Sequence, residues 1–286
     1  MQMGLSLGQK KLYEYLYSFG FNTTTGVDFS ADQSGIILAP KYVKNTDLAR
    51  IAFGQSIAVT PLQLLTAACA VINGGILYQP YFVASMTDNE GKVLLKNEPV
   101  AIRQVISAQT SATMRSLLEN VVAKGGGKNA QVEGYRVGGK TGTAQKYRDG
   151  VIVSGVHVGS FFGFAPANDP EIAVLVTVDE AQMYNDYGSV TAAPYAGQII
   201  SKILQYRQIK PTEEAQKEMV TVPNLIGSSC DYAASVLKNA GLLVEIDGSG
   251  SVISQTPAAG KTVAKYSIIK VTGANKVDTT VHYGIE

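Results

Sequence analysis

Four consecutive residues, Lys140-Thr141-Gly142-Thr143, bring together an ammonium, two hydroxyls and a position without a Cβ. Two kinds of chemistry fit that grouping. The first is phosphate binding: Gly134, four residues, then Gly139-Lys140-Thr141 satisfies the phosphate-loop spacing. The apolar run Ile172 to Val178, closed by Asp179-Glu180, imitates the strand and acid that hold a nucleotide's magnesium. A phosphate loop, however, leaves a strand and opens a helix, whose free N–H groups hold the phosphates. Upstream, residues 125 to 133 do not form an apolar strand, and downstream, residues 142 to 150 are a poor helix opening that runs into a turn. The second chemistry is serine acyl transfer, in which such a lysine begins a strand. Its charge favours proton movement at a neighbouring serine hydroxyl and attracts a substrate carboxylate. Thr141 and Thr143 can donate hydroxyl hydrogen bonds to that carboxylate, and Gly142 lets a peptide approach the backbone. A backbone N–H just beyond Gly142 can point at the oxyanion of acyl transfer.

Other polar residues read more plainly. His157, one of two histidines, precedes an apolar strand and is expected to be structural. Asp179-Glu180 and Asp186 are expected to shape loops beside the cleft rather than hold a metal. Cys69 lies on an apolar helix face and reads as inert core, whereas Cys230, near a helix start, reads as more exposed. Two cysteines so far apart make neither a metal cluster nor a disulfide framework. With 24 basic and 23 acidic residues, the formal charge of +1 supplies no net field toward nucleic acid or anionic lipid. Fifteen tyrosines without a tryptophan do not form a ladder for stacking sugars or bases. No apolar run is long enough to span a bilayer, and the first residues lack the basic flank and apolar core of a signal peptide. No cofactor is called for.

The elements that must position the motif follow from periodicity. The composition, 45 % apolar and 16 % charged, suffices for a sizeable core. Leu5, Leu12, Leu16 and Phe19 share one helical face, closed by Gly20, and residues 21–50 read as an irregular excursion. Thr60, Pro61 and Gln63 predict a helix start with a capping box, its apolar face formed by Leu64, Leu65, Ala68, Cys69, Val71 and Ile72 and its end at Gly74-Gly75. A further helix is predicted from Ser107 to Lys124, with Met114, Leu117, Leu118, Val121 and Val122 toward the core. Segments 135–146, 152–164 and 172–179 predict an antiparallel meander, joined by turn signals at Asp149-Gly150 and Pro166 to Pro170. A helix from Ala192 to Tyr206 completes an α+β unit of helices packed on an antiparallel sheet. Residues 207–219 read as a linker. From Val220, a small unit is predicted with a helix ending at Gly241 and strands near 243–247 and 264–272. Residues 274–286 read as a frayed tail.

In their surroundings, these residues resemble a known family. Gly134-Tyr-Arg-Val-Gly-Gly-Lys-Thr-Gly-Thr-Ala-Gln145 is similar to the third active-site motif of class B penicillin-binding proteins, the peptidoglycan transpeptidases. Gly54 to Gln63 with Asn73-Gly-Gly75, Phe161 to Pro166, Val174 to Glu180, Tyr187-Gly-Ser189 and Ala193-Pro194 resemble its flanking segments in the expected order. Val222-Pro-Asn-Leu-Ile-Gly227, Ala234, Leu237, Gly241-Leu242, Gln255-Thr-Pro257 and Gly260 resemble a PASTA domain. One such domain behind a transpeptidase is similar to the sporulation-specific branch of the family.

The resemblance implies a penicillin-binding, serine β-lactamase-like fold over residues 1–206, here incomplete, then a linker at 207–219, a PASTA domain at 220–273 and a flexible tail at 274–286. It implies cleavage of the terminal D-Ala of a stem pentapeptide through a serine acyl-enzyme, with β-lactams acylating the same serine. Lys140 would set the proton network, Thr141 and Thr143 would hold the carboxylate beside Gly142, and the Thr143 N–H would form half of the oxyanion hole. The family also needs an upstream Ser-x-x-Lys and a Ser-x-Asn. No Ser-x-Asn occurs, and Ser235-Val-Leu-Lys238 sits on the predicted helix of the small unit. The chain is therefore expected to start just downstream of the second motif, to be inactive alone and to expose apolar surface where the missing helices would pack. The parent is expected to be membrane-anchored, with these domains outside the cytoplasm of a Gram-positive cell, in the forespore envelope if it serves sporulation. Its expected partners are stem peptides, β-lactams, cell-wall material and membrane proteins of division or sporulation. A different reading makes the chain a non-catalytic wall-binding or docking module through the PASTA-like unit.

Overall fold

The computed structural model describes residues 1–211 and 219–275. These form two compact units, one of residues 1–131 and 137–200, the other of residues 132–136 and those from Ser201 onward.

The first unit opens with helices α1 (Gln2–Leu7) and α2 (Gln9–Ser18). A single helix is expected here, but Gly8, at φ 80°, breaks it. The expected leucine stripe is not the buried face either. Leu5 is exposed, and the buried residue of α2 is Tyr13, whose hydroxyl donates to the Leu38 carbonyl at 2.6 Å. The excursion over 21–50 contains strand β1 (Ile36–Ile37) and helix α3 (Asn45–Ile51). The Asp47 carboxylate accepts from the Lys44 N–H at 3.0 Å and caps α3, a local signal that the mixed composition hid. After β2 (Ile57–Ala58), which pairs with β1, comes α4 (Pro61–Ile72).

The α4 start is the expected capping box. Thr60 Oγ1 accepts from the Gln63 N–H at 3.1 Å, and Gln63 Oε1 accepts from the Thr60 N–H at 2.9 Å. Gln63 is also buried, and its Nε2 donates to the carbonyls of Thr23 and Ser34 at 2.6 and 2.9 Å. One side chain thus starts a helix and ties the preceding excursion to it. Strands β3 (Ile76–Gln79), β4 (Ser85–Thr87), β5 (Val93–Lys96) and β6 (Val100–Gln104) follow, pairing β3 with β6 and β4 with β5. Helix α5 (Ala108–Ala123) is capped by Ser107, as its sequence predicts. Leu117, expected in the core, is exposed; the innermost residues of α5 are Ser111 and Val122.

The predicted meander is a three-stranded antiparallel sheet in the order β7 (Gly138–Arg148), β8 (Val151–Ala165), β9 (Ile172–Asp179). Asp149 and Gly150 both have positive φ, the hairpin turn their types favour. Strand β8 lies in the middle, and its last five residues, Phe161 to Ala165, are buried on both faces. Phe162 and Phe164 join Ile72, Leu65, Ala68, Val71 and Leu118 of α4 and α5. On the other face Gly163 lies so near Ile200 that a Cβ would sit 2.9 Å from its Cδ1. The short α6 (Gly188–Thr191) leads into α7 (Ala193–Tyr206), which carries Ile200.

The second unit has its own core of Val222, Leu225, Leu237, Leu242, Val252, Ile269 and Val271. Strands β10 (Met219–Thr221) and β13 (Thr262–Ala264) pair, and helix α8 (Cys230–Asn239) accompanies the sheet β11 (Leu243–Asp247), β14 (Ile268–Asn275), β12 (Ser249–Thr256) in that order. Strand β12 has no counterpart in the sequence reading, because glycines at 248 and 250 mask a short alternation about Val252. Gln255 accepts from the Leu225 N–H at 2.7 Å and donates to the Pro223 carbonyl at 2.9 Å, pinning the Val222–Leu225 segment. Cys230, expected to be more exposed, is buried in this core beside Ala233. Most of the linker and nearly all of the expected tail lie outside the described residues.

Exposed apolar side chains are numerous in the first unit and include Met3, Phe29, Ile36, Phe53 and Phe82. Two outcomes follow from the packing. Gly138→Ala would place a Cβ 2.2 Å from Phe164 Cζ; this overpacking should lower stability by about 1–3 kcal/mol, read as a lower urea midpoint. Burial pushes the Cys69 thiol up to about 11. Native protein at about pH 8 should therefore react slowly with a thiol reagent at Cys69, and rapidly only in urea.

Candidate active site

The site is built on the edge of the sheet. Gly138 and Gly139 precede Lys140 because no side chain fits there. A Cβ on Gly138 would strike Phe164 on one face, and a Cβ on Gly139 would lie 2.4 Å from Phe161 Cζ on the other. The rings hold the start of β7 flat against β8, with Lys140 opposite Phe162, Thr141 opposite Phe161 and Thr143 opposite Gly159. Since β8 occupies one side of β7, its other edge faces no strand among the described residues. An open strand edge offers N–H and C=O groups to an extended peptide.

Lys140 is exposed, and its ammonium donates to the Thr141 carbonyl at 2.8 Å. Lys146, further along β7, is tied down: its Nζ lies 2.5 Å from Asp179 Oδ2 and 3.5 Å from Glu180 Oε1. Its hydrogen bond with Asp179 holds its pKa above the usual lysine value. Arg148 pairs with Glu180 at 2.7 Å. Asp179 and Glu180 therefore brace the β7–β8 hairpin from the end of β9, and among the described residues no cluster could hold a metal ion.

Beyond Glu180, the loop to Gly188 returns to β7. The Gly188 N–H donates to Thr143 Oγ1 at 3.2 Å. A Cβ on Gly188 would lie 2.2 Å from the Gly142 carbonyl oxygen and 2.3 Å from that of Ser160, so only glycine permits this approach. The Asn129 side chain donates to the Ser189 carbonyl at 2.8 Å. His157 and Asp186 meet at the root of the loop, a pairing the sequence did not disclose because strand β9 separates them.

The lysine stands within a strand, and no helix opens after it, so the phosphate-loop reading fails on geometry. Ser235 lies on α8, where its hydroxyl donates to the Tyr232 carbonyl at 2.7 Å. A second match to that spacing, Ser267-Ile-Ile-Lys270, runs into strand β14, and Lys270 pairs with Glu245. The Ser235 hydrogen is thus committed to a main-chain carbonyl of its own helix, and Ser267 has no helical turn after it from which a lysine could activate it. Among the described residues no helix is long and apolar enough to cross a membrane.

Comparison with known proteins places this geometry. The penicillin binding protein transpeptidase domain model matches residues 1–201, and the PASTA domain model matches residues 220–275. Stage V sporulation protein D of Bacillus subtilis is 41% identical over 281 residues, covering 95% of this chain and 43% of the relative. The probable peptidoglycan D,D-transpeptidase PenA of Neisseria gonorrhoeae is 28% identical, covering 78% and 37%. Penicillin binding protein 3 of Mycobacterium tuberculosis, solved with ampicillin, superposes with a TM-score of 0.66 at 27% identity, over 72% of this chain and 48% of that one. The transpeptidase domain of penicillin-binding protein 3 from Burkholderia pseudomallei gives 0.65 at 26% identity, over 74% and 61%. The chain spans less than half the length of these curated relatives. The glycine-backed Lys-Thr-Gly-Thr edge, the three-stranded sheet and the matches along the chain agree: it belongs to the penicillin-binding protein transpeptidase family and carries a PASTA domain.

Proposed function

We propose that this chain is the C-terminal part of a peptidoglycan D,D-transpeptidase that crosslinks stem peptides during spore cortex synthesis. The observation that carries this reading is the open edge of β7, where the exposed ammonium of Lys140 and the hydroxyls of Thr141 and Thr143 flank Gly142. The chain divides into a transpeptidase portion at 1–206, a linker at 207–219 and a PASTA domain at 220–273. Its parent is membrane-anchored, with both domains on the extracytoplasmic side.

The reaction needs a serine supplied from upstream of the transpeptidase portion. The serine oxygen attacks the carbonyl of the penultimate D-Ala and transfers its proton through the lysine-bearing network. The C–N bond breaks, and the terminal D-Ala leaves as an amine that takes up a proton. A neighbouring peptide's amine then attacks the ester and frees the serine. In both steps Lys140 supplies positive charge, Thr141 and Thr143 hold the terminal carboxylate of the donor or of a β-lactam, and the Thr143 N–H points at the oxyanion.

Intact-mass analysis after incubation with a β-lactam tests this reading. The chain alone should take up nothing, and a version extended upstream by its natural reading frame should gain one adduct. A stoichiometric adduct on the short chain would overturn it. In the extended protein, Lys140→Ala should slow acylation by about 10²–10⁴-fold, the usual range for losing a group that moves protons.

A second reading, wall binding through the C-terminal unit, has one observation in its favour. The second compact unit, residues 132–136 and those from Ser201 onward, contains an open cleft of about 670 Å³ whose lining includes Lys202, Tyr206, Lys238 and Tyr266. If the cleft holds peptidoglycan, removing residues 220–286 should abolish co-sedimentation with purified cell wall. Unchanged co-sedimentation would leave the unit a scaffold.

A further inference from the structure

Asp186 is a buried carboxylate held by His157. Its Oδ2 accepts from the His157 N–H at 2.9 Å, and the two oxygens lie 2.9 and 3.0 Å from His157 Nδ1. Burying a carboxylate is costly unless its oxygens are hydrogen-bonded, so the pair fixes where this part of the loop can sit. The next residue, Tyr187, sets its ring edge-to-face against the imidazole, with centroids 5.6 Å apart. The residue after that is Gly188, whose N–H reaches Thr143. Three consecutive residues therefore connect the part-buried His157–Asp186 contact to a hydroxyl of the Lys-Thr-Gly-Thr edge. The notch receiving them is lined by glycine, since a Cβ on Gly159 would lie 3.0 Å from the Asp186 carbonyl oxygen and 3.1 Å from Gly188 Cα.

The consequence lies in the hydroxyl of Thr143. A threonine oxygen accepts through its lone pairs and donates one hydrogen. With a backbone N–H aimed at the oxygen, the acceptor side is engaged and the hydrogen is left to point elsewhere. We propose that Asp186 and His157 are positioning residues for carboxylate recognition: they hold the 180–188 loop so that Gly188 engages the Thr143 oxygen and turns its hydrogen toward the substrate's carboxylate. This rests on the transpeptidase reading given above. It makes a third element, the loop after β9, part of the recognition of the acyl donor, acting through Thr143 and not by touching substrate.

Two measurements test it. On the chain itself, Asp186→Ala should speed amide hydrogen exchange at Gly188 relative to Gly163 in the sheet centre; unchanged protection at Gly188 would break the proposed link. On the upstream-extended protein, acylation rates are compared for benzylpenicillin and its methyl ester, which lacks the carboxylate. Asp186→Ala should slow the acid by about tenfold, the scale of one charge-assisted hydrogen bond, and the ester by less than about twofold, because the ester never had that bond. Asp186→Asn, which keeps an oxygen for the His157 N–H, should recover most of the acid's rate. Equal slowing of acid and ester would reduce the pair to a structural staple and overturn the proposal. So would an unaltered ratio of the two rates. Failure of the unsubstituted extended protein to be acylated at all would instead bring down the transpeptidase reading, and the proposal with it.

Discussion

The rings of Phe164 and Phe161 lie against the backbone of Gly138 and Gly139 on opposite faces of one sheet, and the placement of the Lys140 motif depends on that double contact. Each ring is fully buried, a burial worth about 2–3 kcal/mol relative to exposure. Neither can move aside cheaply, because Phe164 is packed under α4 and α5 while the opposite face meets α7. The backbone of β7 must therefore approach β8 with nothing between. That approach brings Thr141 and Thr143 into register with Phe161 and Gly159 and leaves the far edge of the strand open. Packing in the core and access at the edge are two sides of one requirement, the absence of a Cβ at two successive positions.

A second layer of constraint comes from the loops. Gly188 touches the backbone of both β7 and β8, and Gly159 beneath it leaves space for Asp186 and Thr191. Apolar contact holds the loop only in part, since Tyr184 is fully exposed and Tyr187, though it meets the His157 ring, is half exposed. Directional polar bonds do the rest: Asp186 to His157, Thr191 to the Asp186 and Tyr187 carbonyls, and Asn129 to Ser189. Each becomes more effective where water is scarce, which suits a segment that must stay fixed beside the open edge of β7.

Local rules made a large part of this visible in the sequence. The Thr60-Pro61-Gln63 start, the Ser107 cap, the Asp149-Gly150 turn and the order of the meander are each set by interactions within a few residues. The misses share the opposite character. Gly8 interrupts a helical stripe that periodicity alone would continue, and Tyr13 is buried because of a carbonyl that comes from Leu38, far along the chain. Leu117 sits at a core-like spacing on a helix whose inward face is set by Ser111, which donates to the Val71 carbonyl. Strand β12 is recognised only once β14 is present to pair with it. The same division holds in the site. The motif could be read because its residues are contiguous, whereas the His157–Asp186 pair could not, since its members meet only after β8 and β9 have folded.

The charges on β7 show why the motif is more than a run of suitable residues. The strand carries three cations, Lys140, Lys146 and Arg148. Asp179 and Glu180 take the latter two, at the far end of the hairpin. Exposed pairs of this kind add little to stability, commonly less than about 1 kcal/mol. Their effect is on where charge is left over. A strand bearing three free cations would present a diffuse positive field, attractive to any anion along its length. With two neutralised, the residual charge is concentrated at Lys140, one and three residues from the hydroxyls of Thr141 and Thr143. An anion drawn to this edge thus meets its strongest attraction where Thr141 and Thr143 can orient it, and the carboxylates closing β9 contribute to selectivity from a distance by removing the competing positions.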